Sequence, residues 1–147
     1  MGIVSTSLFF HSVLRWALLV AVLLALITGI IALVRRTPIT NLHHYSTHVA
    51  MVLCHLQLVI GAILYGMRLP AYKLMGAAQG RYWKLEHLGL MLLVILLITV
   101  GRMAGARATT EHGRHLRVVA FFIPALLIML WAMPWPGTPM GMGRGWL

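Results

Sequence analysis

The sequence predicts an all-α membrane protein with four transmembrane helices in an up-down-up-down bundle. Hydrophobic residues make up 61% of the chain and charged residues only 10%. A water-soluble domain is nearer half apolar and about a quarter charged. In addition, four apolar segments are each long enough to cross a bilayer core about 30 Å thick, which takes roughly 20 helical residues. The bilayer is therefore the first partner that the sequence predicts.

The predicted spans follow one another along a single domain with short connections. They cover about residues 8–34, 42–67, 82–103 and 111–133. The first stops before Pro38 and the second before Pro70, because proline disfavours continuation of a helix. Thr110 is the predicted N-cap of the fourth span. The remaining residues, 134–147, are rich in Gly, Pro and Met, and we expect an irregular tail.

The charges indicate membrane anchoring and argue against binding of nucleic acid. The net charge is +10, but the basic residues mostly lie at the ends of the apolar segments, where they can contact lipid headgroups. An even number of spans places both termini on one side, here called the terminal side. The opposite side, with the loops near Arg35 and Arg107, carries slightly more effective positive charge. The positive-inside rule then favours a multi-pass protein of a bacterial inner membrane with periplasmic termini.

Histidines within the spans are the candidate functional residues, because ionisable groups inside a membrane are costly. His11 enters the first span from the terminal side and His87 enters the third from the same side. At 1.5 Å of rise per residue, their depths agree within a few Å. The first and third helices of such a bundle are diagonal neighbours, so the two imidazoles can face each other across its axis. Two facing imidazoles are the axial ligands that a haem iron needs.

A second pair is predicted less well on the other diagonal. His48 lies about five residues into the second span and His115 about four into the fourth, both from the opposite side. A second haem there is therefore an open alternative. His55 shares a helix face with His48 but lies near mid-membrane, roughly 9 Å deeper than His87. We expect His43, His44 and His112 to be interfacial.

Arg15 shares a face with His11, four residues earlier, and needs an anion inside the membrane. A haem propionate would serve, and Glu86 at a similar depth is the alternative partner. The exposed thioethers of Met140 and Met142 allow a third interpretation, since such groups suit Cu(I).

Several short segments of the chain match a known pattern: Phe10-His11-Ser12-Val13-Leu14-Arg15-Trp16, His55-Leu56-Gln57 with Gly61 and Tyr65, Glu86-His87, Gly101-Arg102, His115, and Pro134-Trp135-Pro136. Through these segments the chain resembles small four-helix bacterial integral membrane proteins of the cytochrome b family. The resemblance implies haem b, electron transfer, and His11, His55, His87 and His115 as candidate ligands. More broadly, such cytochromes pass electrons between quinone and a larger redox complex. Such cytochromes usually carry a further histidine inside their last span, where this chain has only Pro124 and apolar neighbours beyond His115. This difference favours one haem over two.

Three functions are thus predicted. The leading one is an electron carrier that binds haem b, with His11 and His87 as axial ligands and Arg15 near a propionate. The second is an accessory subunit of a larger membrane complex, without catalytic activity. The third is handling of copper or another metal. No nucleophile–base arrangement or phosphate-binding loop is present, so an electron carrier is favoured over a stand-alone enzyme.

Overall fold

The computed structural model describes residues 2–141 of the chain, and these residues form an all-helical protein. The helices are α1 (Ile3–Arg35), α2 (Asn41–Lys73), α3 (Ala77–Arg81), α4 (His87–Ala106) and α5 (Glu111–Ala132). A π-helical turn (Tyr82–Glu86) joins α3 to α4, and a 3₁₀ turn (Pro139–Gly141) follows α5. Four continuous helical segments, of which the third comprises α3, the π turn and α4, are long and apolar enough to cross a membrane. The predicted fold class is confirmed.

The helix ends follow local sequence signals. Thr110 caps α5 by accepting a hydrogen bond from the Gly113 amide at 3.1 Å, as predicted, and Thr40 caps α2 in the same way. α2 does not stop before Pro70, however, but continues to Lys73. A proline removes one backbone hydrogen bond, which membrane helices tolerate.

The four spans form a bundle in which α1 and α4 occupy diagonal corners. α1 packs against α2 and α5, and α4 packs against the same two helices. The most extensive interface joins α4 to α5, and the least extensive of the four joins α2 to α4. Diagonal placement of the first and third spans therefore agrees with the expected up-down-up-down arrangement.

Small residues explain why α4 and α5 approach so closely. A Cβ added to Gly101 would lie 2.6 Å from Cβ of Phe121, and one added to Gly105 would lie 2.8 Å from Val118. These two glycines, four residues apart, lie on one face of α4 and let the backbones come together, as small residues commonly do in membrane helices.

A dry layer of core side chains divides the bundle into two ends. Its fully buried members include Val22, Ala25, Ala50, Ile98 and Phe122. The end that holds the start of α1 and the π turn is called the cavity end. The end that holds the start of α2 and the start of α5 is called the histidine-pair end.

Candidate functional site

The cavity end contains an apolar cavity of about 140 Å³. Side chains of α1, α2 and α4 form most of its wall, and Trp83 of the π turn, Met129 of α5 and residues that follow α5 complete it. Most of these side chains are aliphatic or sulfur-containing, such as Leu18, Leu58, Met91 and Met129. The polar groups in the wall are few, so each of them is a candidate for recognition of a ligand.

His11 and His87 both line this cavity. The structure thus places in the wall of one cavity the two imidazoles that the sequence predicts at equal depth on diagonal helices. Gly61 of α2 makes room for one of them, because a Cβ at this position would lie 3.2 Å from Cε1 of His11. Gln57, which also lines the cavity, donates a hydrogen bond to the backbone carbonyl of His11 at 2.8 Å.

The ring of His87 is oriented by the end of α5. Nδ1 of His87 lies 2.9 Å from the carbonyl oxygen of Ala132, and the Tyr82 hydroxyl donates to the same oxygen at 2.8 Å. Within an unbroken helix this carbonyl would accept from the amide of residue 136, but Pro136 has no N–H. The carbonyl is therefore open to the two side chains. Because a carbonyl can only accept, Nδ1 of His87 carries the proton, and Nε2 keeps its lone pair.

The same logic applies two residues earlier. Pro134 cannot bond to the carbonyl of Leu130, and the indole nitrogen of Trp135 donates to that oxygen at 2.8 Å. The Pro134-Trp135-Pro136 segment thus exposes two carbonyls and satisfies one of them itself. Two prolines after a helix indicate in the sequence that two carbonyls lack a backbone donor. Only the folded structure shows which side chains donate to them.

Aromatic rings surround His87 on the side of the π turn. The ring centroids of Tyr82 and Trp83 lie 5.7 Å and 5.5 Å from that of His87. Tyr72 stacks on Trp83 at 5.7 Å with an interplanar angle of 14°, and Tyr65 lies next to Tyr72. The π turn puts consecutive residues, Tyr82 and Trp83, both against the protein interior, which a regular helix would not do as readily. Such turns occur often at functional sites.

Arg15 also lines the cavity, and its guanidinium lies 5.2 Å from the ring centroid of Trp16. The alternative pairing of Arg15 with Glu86 is not what the structure shows, because Glu86 pairs with Arg81 at 2.6 Å. The π turn and the exposed position of Arg81 bring these two side chains together outside the cavity. Arg15 therefore places a positive charge on the cavity wall.

At the histidine-pair end, the expected pairing of His48 with His115 is replaced by a different one. His115 is 1% exposed and His43 is 3% exposed, and their ring centroids lie 4.8 Å apart in an edge-to-face arrangement. His43 was expected at the interface, but Gly29 leaves space for its ring and Nδ1 lies 3.1 Å from Oγ1 of Thr28. Because the two rings touch, no porphyrin fits between them, and the second-haem alternative is not supported here.

The remaining histidines face away from the bundle core. His48 and His55 are both exposed on the outer face of α2 and do not line the cavity. As predicted, the two histidines share one face of α2. Because that face points outward, neither side chain reaches His11 or His87 at the cavity. His44 and His112 are exposed near the ends of their helices, as expected.

Metal coordination by the protein alone finds no support within residues 2–141, which contain no group of three or more His, Cys, Asp or Glu side chains suited to a metal ion.

Met140 was expected to be exposed, but it packs against the aromatic cluster of Tyr72, Tyr82 and Trp83. Met142 lies outside the described residues. The predicted tail is therefore partly folded, with the 3₁₀ turn held to Gln79 by a hydrogen bond of 2.8 Å to the Pro139 carbonyl.

Comparison of the chain with protein-family models, curated proteins and solved structures found no match.

Proposed function

We propose that this protein binds haem b in the cavity between α1, α2 and α4 and carries electrons within the membrane. The observation that supports the proposal most strongly is the presence of His11 and His87, from diagonal helices, in the wall of one apolar cavity. His11, His87 and Arg15 are the residues assigned to the cofactor. His48, His55 and His115 are not assigned to it, because they lie on the outer face of α2 or in the contact at the other end.

The hydrogen bonding of His87 suits an axial ligand. Histidines that ligate metals commonly donate their other ring N–H to a carbonyl or carboxylate, which fixes the tautomer and the ring orientation. The Ala132 carbonyl occupies that position here, at 2.9 Å from Nδ1. The lone pair of Nε2 is then the group left for an iron.

The rest of the wall suits a porphyrin with acidic side chains. Aliphatic residues and Trp83 provide apolar contact, and Arg15 provides a positive charge for a propionate. When bound, haem supplies reversible transfer of one electron at a time. The contributions of this chain are to hold the iron through two imidazoles, to exclude water with apolar side chains and to set the charge around the group.

The size of the cavity sets a condition on the proposal. A volume of about 140 Å³ is close to that of an engineered cavity that holds benzene, and a porphyrin is several times larger. The additional room would come from the interface between α2 and α4, which is the least extensive of the four and contributes much of the cavity wall.

The decisive experiment is to purify the protein from its native membrane and measure haem per chain together with the reduced-minus-oxidised optical spectrum. We expect one haem b per chain and a sharp α-band. Protein that is folded by circular dichroism but has neither pigment nor the capacity to take up added haem would overturn the proposal.

The cavity volume favours a second candidate, a binding site for a single ring such as a quinone headgroup. An apolar cavity of this size, with Gln57, Arg15 and His87 in its wall, needs no helix movement to take one ring. Quinone in an organic extract of haem-free, purified protein would support this candidate over haem binding.

We further propose that electrons pass between the quinone pool and a partner redox complex, in a bacterial cytoplasmic membrane with both termini in the periplasm. Support for the orientation comes from the arginines of the histidine-pair end, Arg35, Arg36, Arg107, Arg114 and Arg117. A reporter that is active only in the periplasm, fused to the amino terminus, tests this orientation, and an inactive fusion that is inserted in the membrane contradicts it.

A further inference from the structure

The outer face of α2 carries two imidazoles in the part of the protein that lies against lipid. His48 and His55 are exposed there, and His55 lies close to the middle of a span that runs from Asn41 to Lys73. Ionisable residues inside a membrane almost always face the bundle interior or a water-filled cavity. Two that face outward are therefore an exception that requires an explanation.

Both rings lack hydrogen-bonding partners for some of their nitrogens among the described residues. Nδ1 of His55 donates to the Met51 carbonyl at 2.7 Å, so Nε2 is left with a lone pair directed away from its own helix backbone. His48 makes no hydrogen bond to any residue in the range 2–141. Hydrocarbon offers neither ring a partner, and an unsatisfied polar group there is unfavourable.

The residues around the imidazoles have the spacing of a helix–helix seam. Positions that alternate at intervals of three and four residues are all exposed on this face: His48, Val52, His55, Val59, Ala62 and Gly66. Intervals of three and four keep one stripe of a helix against a parallel partner helix. The stripe ends in Ala62 and Gly66, four residues apart, a pattern that permits close approach of two membrane helices. Of the four spans, α2 is also the least buried within the chain.

We propose that this face of α2 binds the same face of a second copy, giving a parallel dimer with its twofold axis along the membrane normal. In such a dimer every residue meets its own equivalent at the same depth. His55 therefore meets His55 of the second copy, and His48 meets His48. A different partner protein would instead need its own polar groups at both of these depths. A neutral His48 ring has one donor and one acceptor, so two of them can bond directly. Two Nε2 acceptors of His55 are satisfied by one water molecule, which has two O–H groups to donate.

Disulfide cross-linking in native membranes tests this interface. Cys54 is 1% exposed and is replaced by Ala to give a cysteine-free background. Val59→Cys is then compared with Val20→Cys on α1, since the two valines are 58% and 54% exposed and both lie within spans. We expect a cross-linked dimer from Val59→Cys under mild oxidation and little from Val20→Cys. Equal yields from both, or a product that contains a different protein, would overturn the proposal.

A second measurement tests the imidazoles themselves. Interhelical polar contacts in membranes are worth about 0.6 to 2 kcal/mol. The double variant His48→Leu, His55→Leu should therefore weaken dimerisation about threefold to thirtyfold, measured by energy transfer between labelled copies in vesicles. His112→Leu, at an exposed position at the start of α5, is the control and should leave dimerisation unchanged. A double variant that dimerises as well as the wild type would contradict the proposal. Because neither measurement involves pigment, the result is independent of haem binding.

Discussion

The two ends of the bundle each place two histidines on diagonal helices, yet only the pair at the cavity end lines an apolar cavity of the described residues. At the cavity end, His11 and His87 line an apolar cavity of about 140 Å³. At the histidine-pair end, the rings of His43 and His115 touch, with centroids 4.8 Å apart. The comparison teaches that the residue type and the diagonal placement do not make a ligand site unless neighbouring helices also leave room.

The packing of neighbouring residues accounts for the difference. Near the histidine-pair end, Gly101 and Gly105 allow α4 and α5 to pack closely. Gly29 leaves space there for the ring of His43. At the other end, the bulky rings of Tyr72 and Trp83 stand between α2 and the π turn and hold these elements apart.

The largest expected effect separates the two ends directly. His87→Ala removes the proposed axial ligand together with its contact to Ala132, and we expect haem per chain to fall at least tenfold. His115→Ala is the matched control at the other end and should retain haem. The measurement is the pyridine haemochrome content of each purified variant. Equal haem in the two variants would mean that the cavity end is not the haem site.

The next effect concerns the close packing of α4 against α5 near the histidine-pair end, which a single added methyl group should disturb. A Cβ at Gly101 would lie 2.6 Å from Cβ of Phe121, whereas one at Gly89 on the same helix has nothing within 4 Å. Gly101→Ala should therefore lower the free energy of unfolding by about 1–3 kcal/mol, the usual range for overpacking. Denaturation in mixed micelles, followed by circular dichroism, measures the change. Gly89→Ala is the control, and a loss as large as that of Gly101→Ala would show that crowding against Phe121 is not the cause.

A smaller effect is expected from the donors at the Ala132 carbonyl. Tyr82→Phe removes one of the two hydrogen bonds to this oxygen and leaves the other, from His87, in place. Loss of a group that orients a ligand typically weakens binding by 10–100-fold, and because His87 keeps its own bond we expect about tenfold. Titration of the apoprotein with haem gives the affinity. Tyr45→Phe, at an exposed position on α2, is the control.

Much of the fold followed from the sequence, but the candidate site followed only in part. Apolar segment length placed all four spans, and equal depth brought His11 and His87 to one place. Sequence reasoning could not predict the π turn, because a turn with one extra residue leaves no mark in apolar periodicity. Because the positions of Tyr82 and Trp83 next to His87 depend on that turn, they could not be predicted either.

The error at the histidine-pair end has a different physical origin. His43 follows the predicted start of its span by one residue, so sequence position alone placed it at the interface. Its burial depends on Gly29 in another helix, which leaves space for the ring. Contacts of this kind, between one small residue and one large residue far apart in sequence, are not visible in a single chain read from end to end.

The smallest expected effect concerns the stability of that buried pair. Both ring nitrogens of His115 are buried and lack a hydrogen-bonding partner within residues 2–141, whereas His43 has Thr28 at 3.1 Å. A buried polar group without a partner is unfavourable, so replacement by an apolar side chain of similar size can be neutral or stabilising. His115→Leu should therefore leave the free energy of unfolding unchanged or raise it by up to about 1 kcal/mol, while His43→Leu should lower it by about 1 kcal/mol, the net worth of one hydrogen bond. Unfolding of both variants in the same micelles provides the comparison. If His115→Leu proved the more destabilising of the two, the nitrogens of His115 would have a partner in the membrane, such as an internal water, and this end of the bundle would hold a polar site after all.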